Sequence, residues 1–417
     1  MASSKKSGSA YVWIWLPERN EPVVAGRLDE LSGEVTFRYA PSYLERADAI
    51  SLYTPELPLE AGRQRPLSDL DAPGCILDSS PDAWGQRVIM NGLLGREAST
   101  TSDPVNFGRI TFLLNSGSDR VGALDFQESA SEYQARGGPN ATLDELATSA
   151  QRVEAGIPLT PALDQALLHG SSVGGARPKA LIDAGHVKKI AKFSSATDSY
   201  PVVQGEFIAM ELARRAALDA APVELVEVLG KKALLVDRFD RTPGAANRRS
   251  LVSALTILQL SELAPRYASY AELAQVVRAH FTESSRTLTE LFSRITFNIL
   301  VGNNDDHARN HAAFWDGQYL TLTPAYDIAP QPRNTGRATQ SMMIGPNGFK
   351  ESQLAGCVEH AEAYQVRRAE AREIIDMQIE VIRSDWEEVC DLARLTQVER
   401  AYFWKRQFLN SYALQDY

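Results

Sequence analysis

Short apolar stretches broken by glycine, proline and polar residues fill the first part of the chain. Residues 11–16, 22–28, 34–39, 109–114 and 120–126 each read as strands. They predict a β-rich module over residues 11–130, preceded by a flexible leader over residues 1–10. Within it, Ser79-Ser80-Pro81-Asp82-Ala83-Trp84 reads as a helix start, with Ser80 as the cap and Pro81 in the first turn. The glycine- and proline-rich stretch 135–140 closes this module, and helical text begins at Thr142. The pattern then runs strand 179–183, strand 187–193, helix 205–218, strand 223–229 and strand 233–237. Beyond Arg241 a helical period takes over, with Leu288, Leu291, Phe292, Ile295 and Ile299 on one face. Residues 364–412 are likewise helical, and strand-like text returns only at 312–315 and 319–322.

Composition narrows the class. At 417 residues and 44% hydrophobic content the chain can form two or three domains, each with its own core. A formal net charge of -10 argues against a dedicated nucleic-acid binder; the pairs Arg248-Arg249 and Arg367-Arg368 read as solvated surface. No run approaches the ~20 apolar residues of a membrane span, and the leader lacks an apolar signal core. Cys75, Cys357 and Cys390 have no spacing that suggests a disulfide framework or a zinc site, so a cytoplasmic location is expected.

Chemistry concentrates in Asn303-Asn304-Asp305-Asp306-His307-Ala308-Arg309-Asn310 and in Pro324-Ala325-Tyr326-Asp327-Ile328. A loop with an Asp and, five positions on, an Asn can aim a carboxylate at a substrate hydroxyl while the amide oxygen holds a metal ion. A later Asp on a turn can hold the metal that bridges ATP phosphates. Asp305 is therefore the candidate base, with Asn310 and Asp327 as Mg²⁺ ligands. Asp306 and His307 are rival acids or bases, but only Asp305 has the right offset to Asn310.

The nucleotide side is legible too. Gly170-Ser171-Ser172-Val173-Gly174-Gly175-Ala176-Arg177-Pro178-Lys179 is a glycine-containing turn leading into a strand, whose N–H groups could approach phosphates, though it has neither Walker A nor dinucleotide spacing. Lys192 sits where a phosphate-holding lysine is expected, with Lys188 and Lys189 as rivals. Glu206 aligns with Met210, Ala213 and Ala217 on an inward helical face and is its candidate partner. Glu211, with Arg214 and Arg215 three and four residues on, reads as solvated. In Val236-Asp237-Arg238-Phe239-Asp240-Arg241, Asp237 and Phe239 are candidates for an adenine-facing hinge.

With these motifs in this order the chain resembles the HipA family of bacterial serine/threonine kinases, the toxin half of a toxin–antitoxin pair. The segment 172–179 looks like the family's loop, 236–241 its hinge, 305–310 its catalytic loop and 322–328 its metal motif. Val35-Thr36-Phe37-Arg38-Tyr39 and Pro81-Asp82-Ala83-Trp84-Gly85 are similar to its opening region. The resemblance implies an α+β, protein-kinase-like two-lobed fold: a β-rich N-terminal module, a mixed small lobe over residues 131–241 and an all-helical large lobe over residues 242–417. It implies ATP and Mg²⁺ as cofactors, with Ser172, Val173, Gly174, Gly175, Ala176, Lys179, Lys192, Glu206, Asp237, Phe239, His307, Asn310 and Asp327 around the nucleotide. It also implies autophosphorylation at Ser172 or its neighbour Ser171, which would repel ATP phosphates and shut the site. A HipB-like DNA-binding antitoxin is the implied partner, with DNA reached through it. The implied substrate is a cytoplasmic protein, in some relatives an aminoacyl-tRNA synthetase, with growth arrest or persistence as the outcome. Asp306 departs from the family's common Asp-Gly-His and would raise the Asp305 pKa or take a metal. A small-molecule kinase and a scaffold or corepressor acting with a DNA-binding partner are the competing readings.

Overall fold

A computed structural model describes residues 8–67, 69–94, 107–137, 141–157, 177–185, 187–195, 197–242, 247–262, 264, 267–333 and 336–417. The chain forms two compact units, one made of residues 1–196, 226–252 and 314–318, the other of residues 197–225, 253–313 and 319–417.

In the first unit, β1 (Ser9–Ile14), β2 (Val23–Leu31), β3 (Glu34–Tyr39) and β4 (Leu124–Gln127) make an antiparallel sheet in the order β3-β2-β1-β4. Ser32 and Gly33 close the β2–β3 hairpin with φ of 56° and 87°, the positive pair that matches strand twist in a two-residue turn. The next element corrects the expected cap. Helix α1 (Ala83–Leu94) is started by Asp82, whose Oδ1 accepts the Gly85 N–H at 2.9 Å, while the Ser80 hydroxyl donates back to Ile76 O at 3.1 Å. A second correction concerns residues 109–114, read as a strand from their β-branched and aromatic content: Arg109–Asn115 is helix α2. The Glu30 carboxylate accepts the N–H groups of Arg109 at 3.1 Å and Ile110 at 3.2 Å, so a distant residue satisfies the helix start.

Helix α3 (Leu143–Glu154) opens on a capping box between Thr142 and Glu145. Strands β5 (Lys179–Asp183), β6 (Lys188–Phe193), β7 (Val223–Val228) and β8 (Lys231–Asp237) form a second antiparallel sheet, order β5-β6-β8-β7. Trp84, Val88, Leu146, Ala150, Ala180, Ala191, Phe193 and Leu235 share one buried cluster, so α1 and α3 pack on this sheet. The Trp84 ring is fully buried and its Nε1 donates to Lys179 O at 3.1 Å.

The second unit is mainly helical: α4 (Val202–Arg215), α5 (Tyr270–His280), α6 (Ser284–Val301), α7 (Arg368–Leu392) and α8 (Gln397–Phe403). Leu288, Leu291, Phe292, Ile295 and Ile299 of α6 are all buried, as their spacing predicts. Helix α4 stops at Arg215, before the expected end; Ala217 has φ 59° and is exposed rather than inward-facing. Arg215 ties α4 to α7 through Asp385 at 3.0 Å and Glu388 at 2.9 Å, and also bonds Glu211 at 3.2 Å. Strand accompanies helix beyond residue 242, in β9 (Leu251–Ser253), β10 (Ala312–Trp315) and β11 (Leu320–Leu322), whose residues are divided between the two units.

The three cysteines are free and buried. Among the described residues no helix is long and apolar enough to cross a membrane.

Candidate active site

Helix α6 ends at Gly302, whose φ of 73° is the left-handed cap conformation and where a Cβ would stand 2.8 Å from Gln407 O. The chain then leaves the helix as the loop that carries Asp305. A single turn of 3₁₀ helix, Ala308–Asn310, follows, with extended backbone at His307 and His311 on either side. Asp305 is exposed, whereas Asn310 is buried within the turn.

Asp327 lies beyond β11 with φ 61°. A side chain other than glycine seldom adopts this conformation, and such residues gather at functional sites. The Tyr326 hydroxyl donates to Arg309 O at 2.7 Å, so the residue before Asp327 is bonded to the residue before Asn310. Electrostatics point the same way. Partial burial raises the Asp305 pKa; the His307 ring opposes this, and the carboxylates of Asp327 and Asp306 add to the rise. Asp305, His307 and Asp327 are therefore near enough for their charges to act on one another, and Asn310 follows the residue that Tyr326 holds.

Oxygen donors from one carboxylate and one amide suit Mg²⁺, which keeps water and phosphate oxygens as further ligands and does not need an all-protein cage. Among the described residues no group of three or more His, Cys, Asp or Glu is arranged to hold a metal.

Asp306, read as a rival base or metal ligand, takes a different place. It is 3% exposed, and its Oδ2 accepts from Asn298 Nδ2 at 2.8 Å, His311 Nε2 at 3.0 Å and the Tyr270 hydroxyl. Burial and the Asp306 charge hold the Tyr270 pKa well above the usual phenol value, which keeps its proton for donation. Sequence reasoning missed His311 and Tyr270. The available signal was a repeated spacing, since Asp306 and His311 stand five apart, as do Asp305 and Asn310.

The other expected site residues are distributed over both units. Lys192 is half-buried on β6, on the face opposite Ala191 and Phe193, and belongs to the first unit; Glu206, 4% exposed on α4, belongs to the second. Lys179 is buried, with its Nζ 3.6 Å from Asp82. Asp237 pairs with Lys189 at 2.9 Å, and Phe239 meets Phe314 edge-on at 5.9 Å. Ser171, Ser172, Val173, Gly174, Gly175 and Ala176 lie outside the described residues.

The residues between Asp237 and Arg241 hold a second surprise. Arg238, Asp240 and Arg241 are buried, and with Asp119 they form an ion network: Arg238 reaches Asp240 at 2.8 Å and Asp119 at 2.9 Å, and Arg241 reaches both at 2.8 Å. Arg248 stacks on Trp15 at 3.5 Å and donates to Ser118 O at 2.7 Å, and Arg249 stacks on Phe314 at 3.2 Å. Arg248 is thus half-buried against an aromatic ring, whereas Arg249 covers Phe314 and stays exposed, as expected of a surface residue.

Comparison with known proteins identifies the family. Residues 14–127 match the HipA N-terminal domain, and residues 171–386 match the HipA-like C-terminal domain. The chain belongs to the HipA family. It is 28% identical over 161 residues to the serine/threonine-protein kinase toxin HipA of Shewanella oneidensis, covering 34% of this chain and 36% of that one. It is also 28% identical over 152 residues to the kinase-designated protein Y4mE of Sinorhizobium fredii, covering 34% of this chain and 35% of the relative. These matches span about a third of the relatives' length. The HipA fold itself extends over nearly the whole chain. A solved Shewanella oneidensis complex of HipA, HipB and operator DNA is matched with a TM-score of 0.65 at 19% identity, over 91% of this chain and 92% of that one. The α+β, kinase-like architecture is therefore that of the HipA family.

Proposed function

We propose that this HipA-family chain is an ATP-dependent serine/threonine protein kinase. One observation carries the reading. An exposed Asp305 with a raised pKa feels the charge of Asp327, a left-handed turn residue bonded through Tyr326 to the turn that ends in Asn310. In this reading Asp305 accepts the proton of a serine or threonine hydroxyl as its oxygen attacks the γ-phosphorus of ATP, and ADP leaves. Asn310 and Asp327 would hold Mg²⁺, which would supply positive charge to offset that of the phosphate oxygens. Lys192, Glu206, Lys179, His307 and residues Ser172 to Ala176 are the groups proposed to serve the ATP phosphates. Asp237 and Phe239 face the adenine.

The finer biology rests on family membership. A small HipB-like DNA-binding antitoxin is the proposed partner, with DNA engaged through it, because the matched solved structure is a HipA complex with HipB and operator DNA. A cytoplasmic protein is the proposed substrate, an aminoacyl-tRNA synthetase among the candidates, with growth arrest as the result. Autophosphorylation falls on Ser172 or Ser171 and shuts the site by charge repulsion.

Incubation with labelled ATP and Mg²⁺ tests this. Label should enter the native protein, disappear in Asp305→Asn, and disappear when Ser171 and Ser172 are both changed to Ala. Absence of transfer to itself or to any protein would overturn the kinase reading, and transfer to a sugar or amine alone would replace it by small-molecule phosphorylation.

A further inference from the structure

Asp305 and Asn310 are five residues apart, and so are their C-terminal neighbours Asp306 and His311. The first pair carries the proposed chemistry. The second is buried: Asp306 and His311 are each 3% exposed and joined through His311 Nε2 at 3.0 Å. We infer that Asp306 and His311 clamp the loop from behind and thereby set the separation between the Asp305 carboxylate and Asn310.

Three elements converge on one oxygen of Asp306. Tyr270 brings α5, Asn298 brings the last turn of α6, and His311 brings the start of β10. Asn298 is itself held, since its Oδ1 accepts Asn303 Nδ2 at 2.9 Å while its backbone O accepts the Asn303 N–H at 2.8 Å. The span from Asn303 to His311 is thus tied down at both ends, and Asp306 is the residue common to the ties. Tyr326 also holds this span, through Arg309 O at 2.7 Å. A shift of Asp306 would be passed to Asp305 through one peptide bond, and a shift of His311 to Asn310 through another.

The chemistry of Asp306 favours a carboxylate here. Three donors meet at Oδ2, and among the described residues no Lys or Arg pairs with it. An amide oxygen has two lone pairs and no negative charge, so Asn at 306 would serve such a set less well, and Ala not at all. Misplacement of reacting groups by about 1 Å costs about 100-fold in rate. Asp306 and His311 are accordingly positioning residues, a role that rests on the kinase reading of the same site.

The experiment compares native protein with Asp306→Asn, Asp306→Ala, His311→Gln, His311→Ala and the double alanine variant. Two quantities are read: kcat for transfer from ATP, and affinity for Mn²⁺ in the presence of a non-hydrolysable ATP analogue by electron paramagnetic resonance. Each alanine variant is expected to lose about 100-fold in kcat and about 10-fold in Mn²⁺ affinity. The amide variants should recover part of both losses, and the double variant should be little worse than either single because the two residues act as one unit. Asp305→Asn should lose kcat while keeping Mn²⁺ affinity, which separates base from clamp. Folding is checked by thermal unfolding, and if the alanine variants do not fold, the amide variants decide. Folded variants within about 3-fold of native in both quantities, or strictly additive losses, overturn the clamp while the kinase reading stands. A native protein that neither transfers phosphate nor binds Mn²⁺ with the analogue overturns both.

Discussion

Removing Asp240 should destabilise the first unit by about 3–5 kcal/mol, the cost of breaking a buried ion pair from one side. Asp240 is 4% exposed and its carboxylate accepts four hydrogen bonds: Gly122 N at 2.8 Å, Arg238 Nε at 2.9 Å, Arg238 Nη2 at 2.8 Å and Arg241 Nη1 at 2.8 Å. In Asp240→Ala two guanidiniums, with side chains 2% and 7% exposed, are left with Asp119 as their remaining carboxylate. The cost comes from those uncompensated cations more than from the lost bonds, so Asp240→Ala combined with Arg241→Met should recover part of it. Because the chain has two units, a single unfolding transition is not assumed. Hydrogen exchange of the β1–β4 amides in increasing urea reads the first unit alone. The network also has a signature in pH. Burial pushes the Asp240 pKa up, but the charges of Arg238 and Arg241 more than offset it and leave it at about 2, below the ordinary 3.8. A depressed carboxylate contributes stability that is present above pH ~4 and is lost as pH falls through about 2, here on the order of 2 kcal/mol. That acid dependence should be weaker in Asp240→Ala. Destabilisation below about 1 kcal/mol, with the acid dependence unchanged, would refute the reasoning.

The remaining predictions address the site and the core. Asp305→Asn should lower kcat by about 100-fold or more at unchanged fold, and the native rate should fall on acidification through a pKa above 3.8, because burial and neighbouring carboxylates raise it; a pH–rate profile checks both. Lys192→Ala or Glu206→Ala should each weaken productive ATP binding by about 10-fold or more, and calorimetric titration showing native affinity together with a native rate would remove the proposed pair. Trp84→Ala should cost about 3–5 kcal/mol of first-unit stability, measured by the same exchange experiment, since the ring is fully buried and bonded to Lys179 O.

Local pattern was sufficient wherever one stretch of chain settles its own structure. The short strand-like stretches of β1 to β3 and the α6 stripe are written in neighbouring residues, and the structure follows them. The spacing of Asp305, Asn310 and Asp327 is also written in the sequence, and the roles proposed for them rest on it. Pattern failed where a remote group satisfied the backbone or a charge. Residues 109–115 are helical because Glu30, far away in sequence, caps them, and no reading of ITFLL contains Glu30. Asp306 looked like an extra charge beside the base, yet burial turned it into an acceptor for Tyr270, Asn298 and His311. Residues 237–241 carried two messages on alternate positions: Asp237 and Phe239 are only partly buried, while Arg238, Asp240 and Arg241 are buried around Asp119. The sequence by itself determined the types and spacing of the reactive groups and the period of each element. Tertiary structure decided which of the charged residues are solvated and which must find a buried partner, because the cost of burying a charge depends on neighbours that the chain brings together only by folding.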